Sequence, residues 1–99
     1  MTPAEVTSVR VLPERWLRLR FADGAVIEVD AKPLVAGGGV FAHVEADDAV
    51  FERVRVASGT ISWPGGVDVC PDVLYGRGEP ADGTRFERRV VDPGHGSVA

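Results

Sequence analysis

Residues 16–30 read WLRLRFADGAVIEVD, and the loop inside this stretch decides the fold. In an extended chain, successive side chains point to opposite faces. Leu17, Leu19 and Phe21 then share one face; Trp16, Arg18 and Arg20 share the other. The strand AVIEVD returns after Ala22-Asp23-Gly24. A two-residue Asp-Gly loop would set Leu19 opposite Glu28 and Leu17 opposite Asp30, with charge on the apolar face. A three-residue loop sets Phe21 opposite Ala25, Leu19 opposite Ile27 and Leu17 opposite Val29. It also brings Arg18 to Glu28 and Trp16 to Asp30. The apolar pattern therefore selects the three-residue loop, a type I turn with Gly24 left-handed in a bulge.

Working outward, VTSVRVL at 6–12 reads as a preceding strand, so the chain begins with a three-stranded antiparallel meander. Lys32-Pro33-Leu34-Val35 predicts a short helical turn with Pro33 in its first positions, ended by Gly37-Gly38-Gly39. VFAHV at 40–44 reads as a short strand or irregular packing. Asp47 is placed to cap a helix over 48–54, with Val50, Phe51 and Val54 on one side. A second hairpin follows, with Ser58-Gly59 as a two-residue turn. Val54, Val56, Ile61 and Trp63 face inward, and Arg55 and Ser62 outward. Pro64-Gly65-Gly66 breaks this hairpin. Val67 and Val69 then point one way, Asp68 and Cys70 the other. Asp72 can cap a single turn, Val73-Leu74-Tyr75, that stops at Gly76. The predicted class is α+β: meander, short helix, second β-hairpin, C-terminal helical turn. Residues 1–76 form one domain with a single core of Leu17, Leu19, Phe21, Ile27, Val29, Phe51, Val56, Ile61 and Trp63. Residues 77–99 form an extension in which TRFERRVV, 84–91, is the one candidate strand, followed by a tail with little to pack.

Composition bounds the function. The chain has 99 residues and a net charge of −4, which argues against general affinity for nucleic acid and suits a basic protein partner. Cys70 is the lone cysteine, so no internal disulfide is expected. MTPAEVTSVR lacks the apolar run of a secretion signal, and no stretch approaches the roughly 20 apolar residues of a membrane span. These features predict a cytoplasmic protein.

Candidate site residues divide between structural and functional readings. Trp63 and Pro64 read as a core aromatic and a turn, or as an exposed anchor for a partner. Tyr75 packs its ring and keeps its hydroxyl in water, or joins that anchor. Asp68 and Asp72 read as turn and cap residues bonded to backbone amides, as does Asp30. The alternative makes Asp68 and Asp72, with Cys70, the centre of a small hydrolase or metal-dependent enzyme. Cys70 and His43 lack the spacing of a nucleophile and base, and with His95 they give no zinc pattern. Gly37-Gly38-Gly39 lacks the Gly-Lys-Ser/Thr of a phosphate loop. Trp16, Arg18 and Arg20, joined by Arg10, form an outward stripe facing Glu28 and Asp30: a charge-paired solvated face, or a surface for a protein or RNA.

The order LRLRFADG, Asp30, Pro33-Leu34, Phe51 and GTISWPGGVDVCPDVLYG resembles the bacterial domain-of-unknown-function family numbered 2442, over residues 5–76. The most specific positions are Trp63, Pro64, Gly66, Asp68, Pro71, Leu74 and Tyr75. The resemblance implies a compact α+β fold and no established activity. It also implies genes lying beside a small RelE-like toxin-type protein, and hence an antitoxin-like role. The expected function is a non-enzymatic protein-binding module, without cofactor or metal, that occludes a small basic partner. The partner-binding candidates are Trp16, Arg18, Arg20, Trp63, Pro64, Asp68 and Tyr75. An exposed sheet edge would also admit a homodimer.

Overall fold

The computed structural model describes residues 4–36, 39–69, 71–76 and 86–92, which build two antiparallel sheets joined by short helices, an α+β fold. The first sheet holds β1 (Val6–Val11), β2 (Trp16–Phe21), β3 (Val26–Asp30) and, from the C-terminal extension, β7 (Arg88–Asp92), in the order β1-β2-β3-β7. The β2–β3 register is the one the apolar pattern selects: Leu17 faces Val29, Leu19 faces Ile27, Arg18 faces Glu28 and Trp16 faces Asp30. Phe21 N–H donates to the Ala25 carbonyl at 2.8 Å, and Gly24 N–H to the Phe21 carbonyl at 2.9 Å. Gly24 has φ +90°, a left-handed conformation that any Cβ would strain.

The β1–β2 connection has a feature that composition does not reveal. Pro13–Arg15 is a single 3₁₀ turn in which Glu14 and Arg15 both take left-handed backbone, at φ 60° and 61°. Such a conformation costs a non-glycine residue about 1–2 kcal/mol. Neighbours hold the turn in place. Ala31 N–H donates to the Arg15 carbonyl at 3.0 Å, and Lys32 Nζ to the Glu14 carbonyl at 2.8 Å. The Arg15 guanidinium lies over the Phe51 ring at 5.1 Å and donates from Nε to Asp48 at 3.0 Å.

Helices bridge the two sheets: α1 (Lys32–Val35), α2 (Ala42–Ala46) and α3 (Asp48–Phe51). Residues 40–44 are not a strand: a 3₁₀ turn over Gly39–Phe41 leads into α2. The reason lies in spacing. Phe41 and Val44 stand three apart, so a helix directs both to the core, whereas a strand would send them to opposite faces. The Asp47 carboxylate caps α3 by accepting from Ala49 N–H at 2.9 Å, as expected. The helix stops at Phe51 rather than Val54, because the chain turns there, with Val54 N–H donating to the Phe51 carbonyl at 3.2 Å.

The second sheet is β4 (Arg55–Ala57), β5 (Thr60–Trp63) and β6 (Val67–Val69), one strand more than the predicted hairpin. Ser58-Gly59 is the two-residue turn, with φ 52° and 79°, and Val56 faces Ile61. Val67 then faces Trp63, and Val69 faces Ile61. Because β5 is central, all four of its residues are buried. This corrects Ser62, expected to face solvent: Arg55 and Asp68 flank it on either side. After β6 comes α4 (Pro71–Tyr75), which begins before Asp72, so Asp72 is not its cap residue. The side chain of Asp72 lies outside the described residues, as do Cys70, Gly37, Gly38, the segment 77–85 and the tail from residue 93, including His95.

The two apolar faces meet in one core, with Leu17, Leu19, Phe21, Ile27, Val29, Phe51, Ile61 and Trp63 all at 2% exposure or less and Val56 at its margin. The Trp63 indole N–H donates to the Phe51 carbonyl at 2.9 Å, so the largest core side chain meets its one polar requirement internally. Val6 N–H reaches the Gly59 carbonyl at 2.7 Å, tying β1 to the β4–β5 turn.

β7 extends the first sheet beyond the expected meander. Glu28 faces Arg89, and Asp30 N–H donates to the Glu87 carbonyl at 2.9 Å. Glu28 is the buried charge of the sheet. Arg18 takes one of its oxygens at 2.8–2.9 Å, and Arg89 takes the other at 2.9 Å. On the opposite face, the Arg88 guanidinium lies over Gly76, where a Cβ would overlap it.

Two stability effects follow from these contacts. Leu19→Ala should lower the unfolding free energy by about 2–5 kcal/mol, read as a drop in urea midpoint at unchanged slope. Glu28→Gln should cost about 1–2 kcal/mol at low salt, because Arg18 and Arg89 lose their shared counter-charge. That loss should shrink as NaCl rises, measured as converging wild-type and variant melting temperatures.

Candidate functional site

The sequence-predicted site residues fall in four separate places. Trp16, Arg18 and Arg20 share the outer face of the four-stranded sheet, as alternation requires. Arg10 joins them opposite Arg18, and Arg89 completes the row from β7. Trp16 is half-buried, with the Arg89 guanidinium 4.3 Å from its ring centre. Trp16 therefore already holds a cation on its ring. Glu28 neutralises two of the arginines, while among the described residues the side chains of Arg10 and Arg20 have no partner.

Trp63 is in the core at 1% exposure, so it offers no surface to a partner. Its neighbour Pro64 is half-buried, and the Pro64 carbonyl accepts from His43 Nε2 at 2.6 Å. That bond places a proton on Nε2, because a carbonyl can only accept. A shallow cleft of about 450 Å³ opens here, lined by Phe41, His43, Gly65, Gly66, Val67 and Asp68. Asp68 was expected to bond turn amides. Instead it is exposed on β6, and among the described residues its carboxylate has no hydrogen bond or ion pair. The turn needs no such help, since Gly66 N–H donates to the Trp63 carbonyl at 3.2 Å.

Tyr75 packs its ring edge-on against Phe21 at 4.8 Å, and its hydroxyl donates to the Asp23 carboxylate rather than staying in water. Asp30 behaves as expected, accepting from Lys32 N–H at 3.0 Å, with the Lys32 ammonium also at 3.0 Å. Asp23 likewise accepts from Ala25 N–H at 2.9 Å. The carboxylates of the turns are thus committed to backbone donors. Among the described residues, no three His, Cys, Asp or Glu side chains are grouped to hold a metal ion. The enzyme alternative named Asp68, Asp72 and Cys70; of these, Asp68 is exposed on β6, and the Asp72 side chain and Cys70 lie outside the described residues.

The residues that the sequence reading missed lie on β7. Glu87, Arg89 and Val91 alternate with Arg88 and Val90, a strand signal in itself. Nothing local says that Arg89 meets Glu28, 61 residues earlier. Val90 and Val91, 54% and 56% exposed, are the large exposed hydrophobics among the described residues. No helix among those residues is long and apolar enough to cross a membrane.

A family model described as "Protein of unknown function (DUF2442)" matches residues 6–80. No curated protein and no solved structure matches the chain. The match covers both sheets up to β6 and the closing helix, and it includes Trp63, Pro64, Gly66, Asp68, Pro71, Leu74 and Tyr75. By this match the chain belongs to the DUF2442 family of proteins of unknown function.

Proposed function

We propose that this chain is a non-catalytic protein-binding module that receives an extended strand of its partner along the outer edge of β7, which no other described strand pairs. One observation carries this reading: the large exposed hydrophobics among the described residues, Val90 and Val91, sit on the strand at the edge of the sheet. The hydrogen-bond phase makes the edge usable. Asp30 and Glu87 form a bonded pair, so Glu87 and Arg89 turn their backbone groups towards β3. Arg88 and Val90 then point theirs away from the sheet. Strand addition uses such unpaired N–H and C=O groups for affinity and side-chain pockets for specificity. A bulge after Val90 shifts the register and confines the free edge to the stretch before it.

The net charge of −4 favours a basic partner, and an antitoxin-like role would follow if such a partner were occluded. The edge itself sets no sign, since Glu87, Arg88, Arg89 and Asp92 balance one another. Coexpression with the product of the adjacent gene should give a complex that survives size exclusion. Val90→Pro should abolish that complex, because it removes an N–H aimed outward while sparing the ladder to β3. Circular dichroism should show the variant folded. Failure of the wild type to form any complex would count against the reading. A concentration-dependent dimer lost in Val90→Pro would assign the edge to a second copy of the chain.

A further inference from the structure

On the β1–β2 side of the outer face of the four-stranded sheet, Arg10 and Arg20 carry positive charge that no described side chain pairs with. Register aligns Arg10, Arg18, Glu28 and Arg89 in a single cross-strand row. The carboxylate of Glu28 is used up by Arg18 and Arg89. Arg10 lies directly opposite Arg18, and Arg20 lies two residues further along β2, opposite Ser8. Like charges placed directly across a sheet are destabilising. Arg10 and Arg20 are exposed and, among the described residues, unpartnered. Asp30, on the same face, is held by Lys32, and Glu87 lies opposite Asp30 on β7, at the far side of the sheet from Arg10. This arrangement sits on a chain whose net charge is −4, so it opposes the overall charge rather than following it.

We infer that this face, centred on Arg10 and Arg20, binds an extended acidic segment of a protein, with carboxylates on alternate residues. Arg10 and Arg20 are diagonal neighbours on adjacent strands, a separation of about 7–8 Å. Alternate residues of an extended segment repeat every 6.6–6.8 Å or so, which brings one carboxylate to each guanidinium. The planar fork of arginine matches a carboxylate in a two-bond geometry. Single-stranded nucleic acid fits less well. It relies on open aromatic rings for base stacking. Trp16 is the aromatic on this face, and Arg89 covers it. The surface is independent of the β7 edge, because Arg10 and Arg20 lie on β1 and β2 at the other side of the sheet.

Fluorescence anisotropy on the full chain tests this, using a labelled peptide of alternating Glu and Ser, its Lys-Ser counterpart and an oligouridylate. The Glu-Ser peptide should bind and weaken as NaCl rises from about 50 to about 300 mM, while the Lys-Ser peptide should not bind. Arg10→Glu with Arg20→Glu should weaken the complex by about tenfold or more. Arg10→Gln with Arg20→Gln serves the same purpose if charge reversal impairs folding. Val90→Pro should bind the peptide as the wild type does, which separates this site from the strand edge. Absence of saturable peptide binding, or binding indifferent to both double variants, would overturn the inference. Tighter binding of the oligouridylate than of the Glu-Ser peptide would overturn it in favour of nucleic acid.

Discussion

The three-residue connection at Ala22-Asp23-Gly24 sets the parity of the central hairpin, and most of the molecule depends on that parity. With Phe21 opposite Ala25, the apolar residues of β2 and β3 all face one side. One residue fewer would exchange inside for outside along β3. The same parity puts Glu28 between Arg18 and Arg89, and it turns the backbone groups of Asp30 towards β7. A turn closed by Gly24 in left-handed backbone therefore governs the core, the charge pattern of the outer face and the attachment of a strand much later in the chain.

The second constraint joins the sheets. Trp63 fills the space between them and donates its indole N–H to the end of α3. Phe51, whose carbonyl accepts that hydrogen bond, packs its ring against Trp63 at 5.8 Å and carries the Arg15 guanidinium over the same ring at 5.1 Å. Through Arg15 the contact reaches the strained Pro13–Arg15 turn and Asp48. Polar side chains in this protein serve mainly to hold bends in place: Asp23 and Asp47 secure a turn and a cap, and Asp30 secures the entry to α1. Asp68, Arg10 and Arg20 differ: among the described residues their side chains have no such bond, and all three are exposed.

Much of this was legible in the sequence where the deciding information is local. The β2–β3 register follows from alternation across one short loop, and the Ser58-Gly59 hairpin from two residues at a tight turn. The Asp47 cap needs just the residues that follow it. The reading failed where the answer depends on distant neighbours. Residues 40–44 run through a 3₁₀ turn into α2 because Phe41 and Val44 both pack into the core, and five residues are too few for the period to declare itself. Ser62 is buried because β6 pairs beyond it, turning an edge position into a central one. Asp68 has no bond among the described residues because the Pro64-Gly65-Gly66 turn closes with its own backbone, Gly66 N–H donating to the Trp63 carbonyl. For the candidate site, alternation placed Trp16, Arg18 and Arg20 together, and it placed Trp63 in the core. It could not supply Arg89, whose meeting with Glu28 joins two segments 61 residues apart.

That long separation bears on how the chain matures. β3 is buried along nearly its whole length, VIEVD, yet the neighbour that covers its far side is synthesised after every other described strand. On the ribosome, β1 to β3 can assemble while this apolar border is still bare, and bare strand borders invite mispairing between nascent chains. Arrival of RRVVD then covers that border and moves the sheet edge to a strand in which Val90 and Val91 stand between two arginines and an aspartate.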